Sequence, residues 1–139
     1  MFARIASRKI SSKFAQATSR QLSSIQRLGT ENPNMSQTVI HNGIVYISGQ
    51  VDPTAGDIKG QTKDVLGKVD ALLTEAGTDK SKLLTASIWV KDIEKDFAGM
   101  NDVWSAWVDA ENKPVRATVE ANMARPEILV EIQVSAALE

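Results

Sequence analysis

The chain has 139 residues, of which 42% are hydrophobic and 24% are charged, and its formal net charge is −1. It contains no cysteine, which excludes a disulfide, a thiol nucleophile and a zinc–thiolate cluster. His41 is the single histidine, so a metal site would need carboxylate ligands almost alone, and we predict none. No apolar run reaches the ~18 residues of a membrane span, so no membrane partner is expected.

Residues 1–30 have the composition of a mitochondrial transit peptide. They contain six basic side chains and six serines, and the first carboxylate of the chain is Glu31. Several apolar residues share one helical face, with arginines opposite. The stretch Arg20–Ser24 resembles a matrix-peptidase site, with the cut after Leu22 preferred. An alternative interpretation is a basic arm that binds nucleic acid.

We expect residues 31–139 to form one domain with a modest core. Removing the six basic residues of the leader from the total of 16 leaves ten basic against 17 acidic residues, a net charge of −7. So acidic a domain would repel a phosphate backbone, and nucleic acid is therefore not an expected partner.

Hydrophobic periodicity and turn signals predict seven elements. Asn42-Gly43 favours a type I′ turn within a hairpin, and Gly77 is expected to end the first helix. In chain order, the predicted elements are strands Gln37–His41 and Ile44–Gln50, helix Ile58–Ala76, strand Leu83–Val90, helix Phe97–Ala110, and strands Val115–Asn122 and Ile128–Ala137. The order ββαβαββ predicts an α+β fold, with a mixed sheet and both helices on one face.

The last two strands alternate between polar and apolar residues. The polar positions are Arg116, Thr118 and Glu120 on the first strand, and Glu131, Gln133 and Ser135 on the second. Such alternation is typical of a solvated sheet face, but a polar face could also line an interface or a pocket, and the pattern leaves both open. Glu120 is also a candidate ion-pair partner of Arg116. Trp104 and Trp107 stand at helical spacing and are predicted to pack in the core.

Two segments, Pro114–Glu120 and Leu129–Ile132, resemble the paired C-terminal signature of the RidA family, also called YjgF/YER057c/UK114. Three further segments resemble the same family in order and spacing: Ile47–Gln50, Gln61–Gly77 and Lys91–Trp104. Together the resemblance covers nearly all of residues 36–138. It implies a chorismate-mutase-like α+β fold assembled as a homotrimer, in which the sheets form a barrel-like core and pockets lie between subunits.

The resemblance also implies a cofactor-free hydrolysis of enamine or imine intermediates, such as 2-aminoacrylate and 2-aminocrotonate, to 2-oxo acids and ammonia. Pyridoxal-phosphate enzymes that dehydrate serine or threonine release these intermediates, and the leader would place the reaction in the mitochondrial matrix. Arg116 would bind the substrate carboxylate in a bidentate pair. Glu131 would serve as base or water anchor. Ser48, Gly49 and Thr118 would line the pocket, although the position of Thr118 is often cysteine in the family.

Met35 departs from the family pattern, because many members have a tyrosine at this position that closes over the ligand. The sequence resembles a subgroup that lacks this tyrosine. Three functions are therefore weighed: an imine deaminase, a noncatalytic protein that binds 2-oxo acids in the same pocket, and a ribonuclease. The acidic charge and the lack of a histidine pair argue against the ribonuclease.

Overall fold

The computed structural model describes residues 24–139, in which two helices lie on one face of a six-stranded sheet. The elements in chain order are β1 (Gln26–Leu28), β2 (Thr38–His41), β3 (Ile44–Ile47), α1 (Ile58–Ala76), a 3₁₀ turn (Lys80–Lys82), β4 (Leu83–Val90), α2 (Ile93–Trp107), β5 (Val115–Glu120) and β6 (Val130–Ala137). The strand order across the sheet is β1-β2-β3-β6-β4-β5, and only β4 and β5 run parallel. The predicted fold class and element order are confirmed, with β1 as an additional strand.

Strand β1 lies in the range that the sequence analysis assigned to the leader. It pairs antiparallel with β2, and the Gln37 N–H donates to the carbonyls of Leu28 and Gly29 at 3.1 and 3.0 Å. The folded sheet thus begins before the predicted boundary at residue 31. The sequence analysis missed β1 because three residues are too few to show the alternation of a strand. The transit-peptide prediction for residues 1–23 lies outside the described residues.

Local signals place the first hairpin and helix as predicted. Asn42 and Gly43 have φ of 51° and 74°, as the first and second central residues of a type I′ turn require. Asp57 caps the start of α1, where its carboxylate accepts from the Gly60 N–H at 3.3 Å. Gly77 ends the helix at φ 92°, a left-handed conformation that glycine adopts without steric cost.

Helix α2 begins at Ile93, one turn before the predicted Phe97. Asp92 is its N-cap and accepts from the Lys95 N–H at 3.0 Å. Glu94 and Asp96 lie in the first turn, where the helix dipole stabilises acidic side chains and favours this earlier start. The helix ends at Trp107 rather than at Ala110.

Both helices cover the same side of the sheet, the covered face; the other side is the open face. The core between helices and sheet contains Ile40, Val45, Ile47, Val65, Leu66, Val69, Leu73, Leu83, Ala86, Ile88, Val90, Met100, Trp104, Val130, Ile132, Val134 and Ala136. Trp104 is buried and Trp107 packs partly buried against this core, as predicted. Within residues 24–139, neither helix is both long and apolar enough to cross a bilayer.

Candidate functional site

The segment after β3 carries the predicted pocket residues Ser48 and Gly49, and hydrogen bonds fix it on both sides. The Ser48 N–H donates to the Gln37 carbonyl at 2.9 Å. Gln50 exchanges two backbone hydrogen bonds with Ile132 of β6, at 2.9 and 3.1 Å. The segment is therefore held rigidly between the chain that enters β2 and the centre of β6.

A cluster of polar side chains reinforces this position. The Ser48 hydroxyl donates to Gln37 Oε1 at 3.0 Å, and Gln50 Nε2 lies 3.1 Å from the same oxygen. Gln50 is only 8% exposed, and its amide also lies within hydrogen-bond distance of the Ser48 carbonyl and hydroxyl. These bonds satisfy a buried amide and fix the direction of the serine hydroxyl.

Gly49 lies directly against the carboxyl group of Glu131. A Cβ at position 49 would approach the Glu131 Cδ to 3.0 Å and the Cγ to 3.2 Å, with Oε1 closer still. Glycine leaves room for the carboxylate in this position, and a larger residue would displace it. Glu131 is half-buried, and its carboxylate makes no hydrogen bond or ion pair within residues 24–139. Its oxygens are thus free to hold a water molecule or a ligand.

Arg116 lies on β5 and faces helix α2. Its Nη1 donates to Asn101 Oδ1 at 2.8 Å, and its guanidinium carbon lies 5.5 Å from the centre of the Trp104 ring. A cation over an aromatic face is stabilised by the ring quadrupole. The side chain is half-buried and has no carboxylate partner in the described part of the chain.

Glu120, a candidate ion-pair partner of Arg116 in the sequence analysis, forms no such pair within residues 24–139. Its Oε1 accepts from the backbone N–H of Ile93 at 3.1 Å, at the first residue of α2. It therefore caps the helix, and the positive charge of Arg116 is left for another anion.

Thr118 lies on the same side of β5 as Arg116. In the register of β4 and β5, Arg116 is opposite Ala86 and Thr118 is opposite Ile88, and both neighbours are buried on the covered face. The Thr118 hydroxyl is itself buried and has no hydrogen-bond partner among the described residues. Arg116 and Thr118 form one half of the predicted site.

Glu131 lies on the other side of the sheet. In the register of β4 and β6 it is opposite Trp89, whereas its neighbour Ile132 is opposite Ile88 on the covered face. Side chains alternate along a strand, so Glu131 points to the open face. Glu131 and Gly49 thus form a second half-site, and one chain does not bring it together with Arg116.

The loop that follows Gln50 is tied to α1 by charge. Lys68 Nζ donates to the Val51 carbonyl at 2.9 Å and lies 3.4 Å from the Asp52 carboxylate. Hydrogen bonds from Thr54, together with Lys68, hold the pKa of Asp52 below its usual value. No cluster of three potential metal-ligating side chains occurs within residues 24–139.

Sequence reasoning missed the residues that hold the two half-sites. Gln37 and Gln50 flank Ser48, and nothing in their spacing indicated a shared network. Asn101 and Trp104 stand three residues apart on α2, which indicated one helical face but not which strand that face would meet. Arg125 pairs with Glu127 at 3.6 Å on the surface and belongs to neither half-site.

The fold and these half-sites define a small α+β protein in which, within residues 24–139, Arg116 has no carboxylate partner and the Glu131 carboxylate, beside Gly49, has no partner. The sequence profile of the family described as endoribonuclease L-PSP matches residues 24–138. The chain therefore belongs to this L-PSP family, which includes the YjgF- and RutC-type proteins, and the predicted RidA-type membership is confirmed.

Individual relatives are similar to this chain over nearly their whole length. A RutC family protein of Haemophilus influenzae is 43% identical over 114 residues, which cover 81% of this chain and 97% of the relative. The crystal structure of a YjgF-family protein from Neisseria meningitidis is 42% identical with a TM-score of 0.82, covering 85% of this chain and 98% of that one. A Mycobacterium tuberculosis member of the YjgF/YER057c/UK114 family is 25% identical with a TM-score of 0.74, covering 82% and 99%.

Proposed function

We propose that this protein hydrolyses small enamine and imine carboxylates, of the 2-aminoacrylate and 2-aminocrotonate type, to 2-oxo acids and ammonia. The observation that carries the proposal is the state of Arg116: a half-buried guanidinium, fixed by Asn101 and Trp104, without a carboxylate partner in residues 24–139. Such a group is suited to a small carboxylate, which it can bind through two parallel hydrogen bonds. The unpartnered hydroxyl of Thr118 lies on the same face and would add a third.

The reaction requires little from the protein beyond the orientation of the substrate and the attacking water. An enamine substrate first becomes the imine, as a proton moves from its nitrogen to its terminal carbon. Water then adds to the C=N carbon, and the proton that water loses is transferred to the nitrogen. The C–N bond breaks, the nitrogen leaves as ammonia, and the carbon becomes a ketone. Glu131, whose carboxylate has no partner among the described residues, would hold the attacking water and take up its proton. Imines already hydrolyse in water, so the placing of substrate and water next to each other can supply the acceleration. Water is the only co-reactant, and no cofactor is required.

The proposed reaction needs two copies of the chain, because Arg116 and Glu131 lie on opposite faces of one sheet. Three large apolar side chains are exposed on the open face: Val115 (71%), Val119 (50%) and Tyr46 (48%). An apolar sheet face is stabilised when another copy covers it. We propose a homotrimer in which the arginine half-site of one subunit meets the glutamate half-site of the next.

A second candidate is a noncatalytic protein that binds 2-oxo acids in the same composite pocket. Met35, at the position where many relatives carry a tyrosine, is 41% exposed and offers no hydroxyl group. A site with the carboxylate anchor but without that hydroxyl could retain binding and lose rate. A ribonuclease is disfavoured, because residues 31–139 carry a net charge of −7 and contain only His41 as a histidine.

A coupled assay tests the proposal. A serine dehydratase generates 2-aminoacrylate, and pyruvate formation is followed with and without this protein. We expect acceleration by the wild type, loss of acceleration in Arg116→Ala, and full acceleration in the matched surface variant Arg125→Ala. Unchanged pyruvate formation together with 2-oxo acid binding by calorimetry would refute the hydrolase and favour the binding protein.

The cellular setting is part of the same proposal. The basic, acid-free composition of residues 1–30 supports import into the mitochondrial matrix. There, pyridoxal-phosphate enzymes that dehydrate hydroxyamino acids would supply the substrate.

A further inference from the structure

A shallow groove of about 490 Å³ lies between α1 and α2, away from both half-sites. Its floor is apolar and its rim is basic. The floor includes Leu66 of α1 with Val103 and Trp107 of α2, and the rim includes Lys59, Lys63 and Lys80. We call this feature the lysine-rimmed groove.

The three lysines are poorly neutralised by the protein itself. Lys59 and Lys63 stand four residues apart on α1, where like charges repel. Lys59 lies 3.5 Å from Asp102, but both side chains are highly exposed, and such a pair is weak. The Lys63 ammonium group makes no hydrogen bond or ion pair within residues 24–139. A protein with an acidic folded domain thus places three lysines against one acidic lining residue, Asp102, at an apolar site.

Lys80 extends the rim beside the tryptophan. Its ammonium lies 5.3 Å from the centre of the Trp107 ring, whose indole N–H donates to Asp70 at 2.9 Å. The ring is therefore held in a fixed orientation with its face and edge both engaged. A fixed, half-buried aromatic residue under a basic rim is typical of a recognition surface.

We propose that the lysine-rimmed groove docks an amphipathic helical segment of a partner protein, with apolar side chains on one face and acidic side chains beside them. From Lys59 to Leu66 the groove follows α1 for roughly 10 Å, which is about two helical turns. This length accommodates apolar anchors at i, i+3, i+4 and i+7. The acidic side chains would pair with Lys59, Lys63 and Lys80. The basic leader of this chain has the wrong charge to occupy the groove.

Synthetic peptides test the proposal directly on the full-length protein. One amphipathic helix of about 18 residues carries leucine on one face and glutamate on the other, and a second carries lysine in place of each glutamate. We expect tryptophan fluorescence to report micromolar binding of the glutamate peptide only, weakened by added salt. Lys63→Glu should weaken binding roughly tenfold, or about 1.4 kcal/mol. Lys113→Glu, the same charge change on an exposed loop outside the groove, should leave it unchanged.

Three results would overturn the proposal. The first is equal binding of both peptides, or equal binding by Lys63→Glu and wild type. The second is binding to phosphatidylserine vesicles without binding to the glutamate peptide, which would assign the groove to a lipid surface. The third is a lower sedimentation mass for Lys63→Glu than for wild type, which would assign it to contact between copies. Circular dichroism and the urea unfolding midpoint of the variant, measured in parallel, check that it is folded independently of the peptide result.

Discussion

Arg116 and Glu131 lie on opposite faces of the same sheet, although both strands pair with β4. Arg116 is aligned with Ala86 and Glu131 with Trp89, three residues further along that strand, so their side chains point away from each other. A reaction that uses both groups must take them from two subunits. The proposed reaction therefore requires the proposed assembly.

Mixing two inactive variants should restore activity. Arg116→Ala and Glu131→Gln each remove one half of the proposed composite site, so each alone should be inactive. After the two are unfolded together and refolded at equal amounts, about a quarter of the subunit contacts in a cyclic assembly pair an intact arginine with an intact glutamate. We expect about that fraction of the wild-type rate in the coupled pyruvate assay.

The control for this mixture is Arg116→Ala refolded with the double variant Arg116→Ala/Glu131→Gln. No chain in that mixture carries the arginine, so no activity should return. Full inactivity of the first mixture, with both variants shown to co-assemble, would mean that each subunit uses both residues by itself and would contradict the shared site.

Gly49→Ala should lower activity more than stability. The added Cβ would meet the Glu131 carboxyl group, which is the far end of a flexible side chain and can move aside at small cost. Urea unfolding should therefore show nearly the wild-type free energy of unfolding, whereas the displaced carboxylate should lower kcat. Gly56→Ala is the matched control, because a Cβ there meets nothing within 4 Å. An unchanged kcat in Gly49→Ala would contradict the role given to the Glu131 carboxylate.

Arg116→Lys should weaken the site while keeping its charge. Lysine cannot form the planar pair of hydrogen bonds to a carboxylate, and it also loses the fixed bond to Asn101. We expect kcat/KM in the coupled assay to fall about 10- to 100-fold, the equivalent of one charge-assisted hydrogen bond. Arg125→Lys, which changes a surface arginine paired with Glu127, should match the wild type. An unchanged kcat/KM in Arg116→Lys would show that charge alone suffices.

Much of the fold was predictable because its signals are local. The Asn42-Gly43 turn, the periodicity of α1 and the Gly77 stop depend on neighbouring residues only, and all three are confirmed. The start of α2 was misplaced because hydrophobic periodicity begins at Phe97, whereas the helix begins one turn earlier, at the Asp92 cap and a charged first turn.

The candidate site was predictable only in part, because it depends on register between strands. Alternation shows which residues of one strand share a side, but it does not relate Arg116 on β5 to Glu131 on β6. That relation comes from the alignment of each strand with β4, which no local pattern encodes. The same holds for Asn101 and Trp104, whose contact with Arg116 arises only when α2 packs over β5.

The position of β1 sharpens the prediction for the leader. A cut after Leu22 would leave β1 in the mature protein, whereas a chain that begins at residue 31 would lose Leu28 and the backbone bonds to Gln37. Gln37 in turn contacts Ser48 of the candidate site. We expect the chain that begins at Ser23 to be more stable than the chain that begins at residue 31, by on the order of 1–2 kcal/mol for the lost apolar contact.

Import and unfolding measurements check both parts of this prediction. Residues 1–30 fused to a fluorescent protein should reach mitochondria, and glutamine in place of Arg4, Arg8 and Lys9 should prevent it, because the membrane potential acts on positive charge. The N-terminal residue of the imported full-length protein should lie at or close to Ser23. A mature chain that begins at Met1, or equal unfolding midpoints for the two truncated chains, would contradict the respective part.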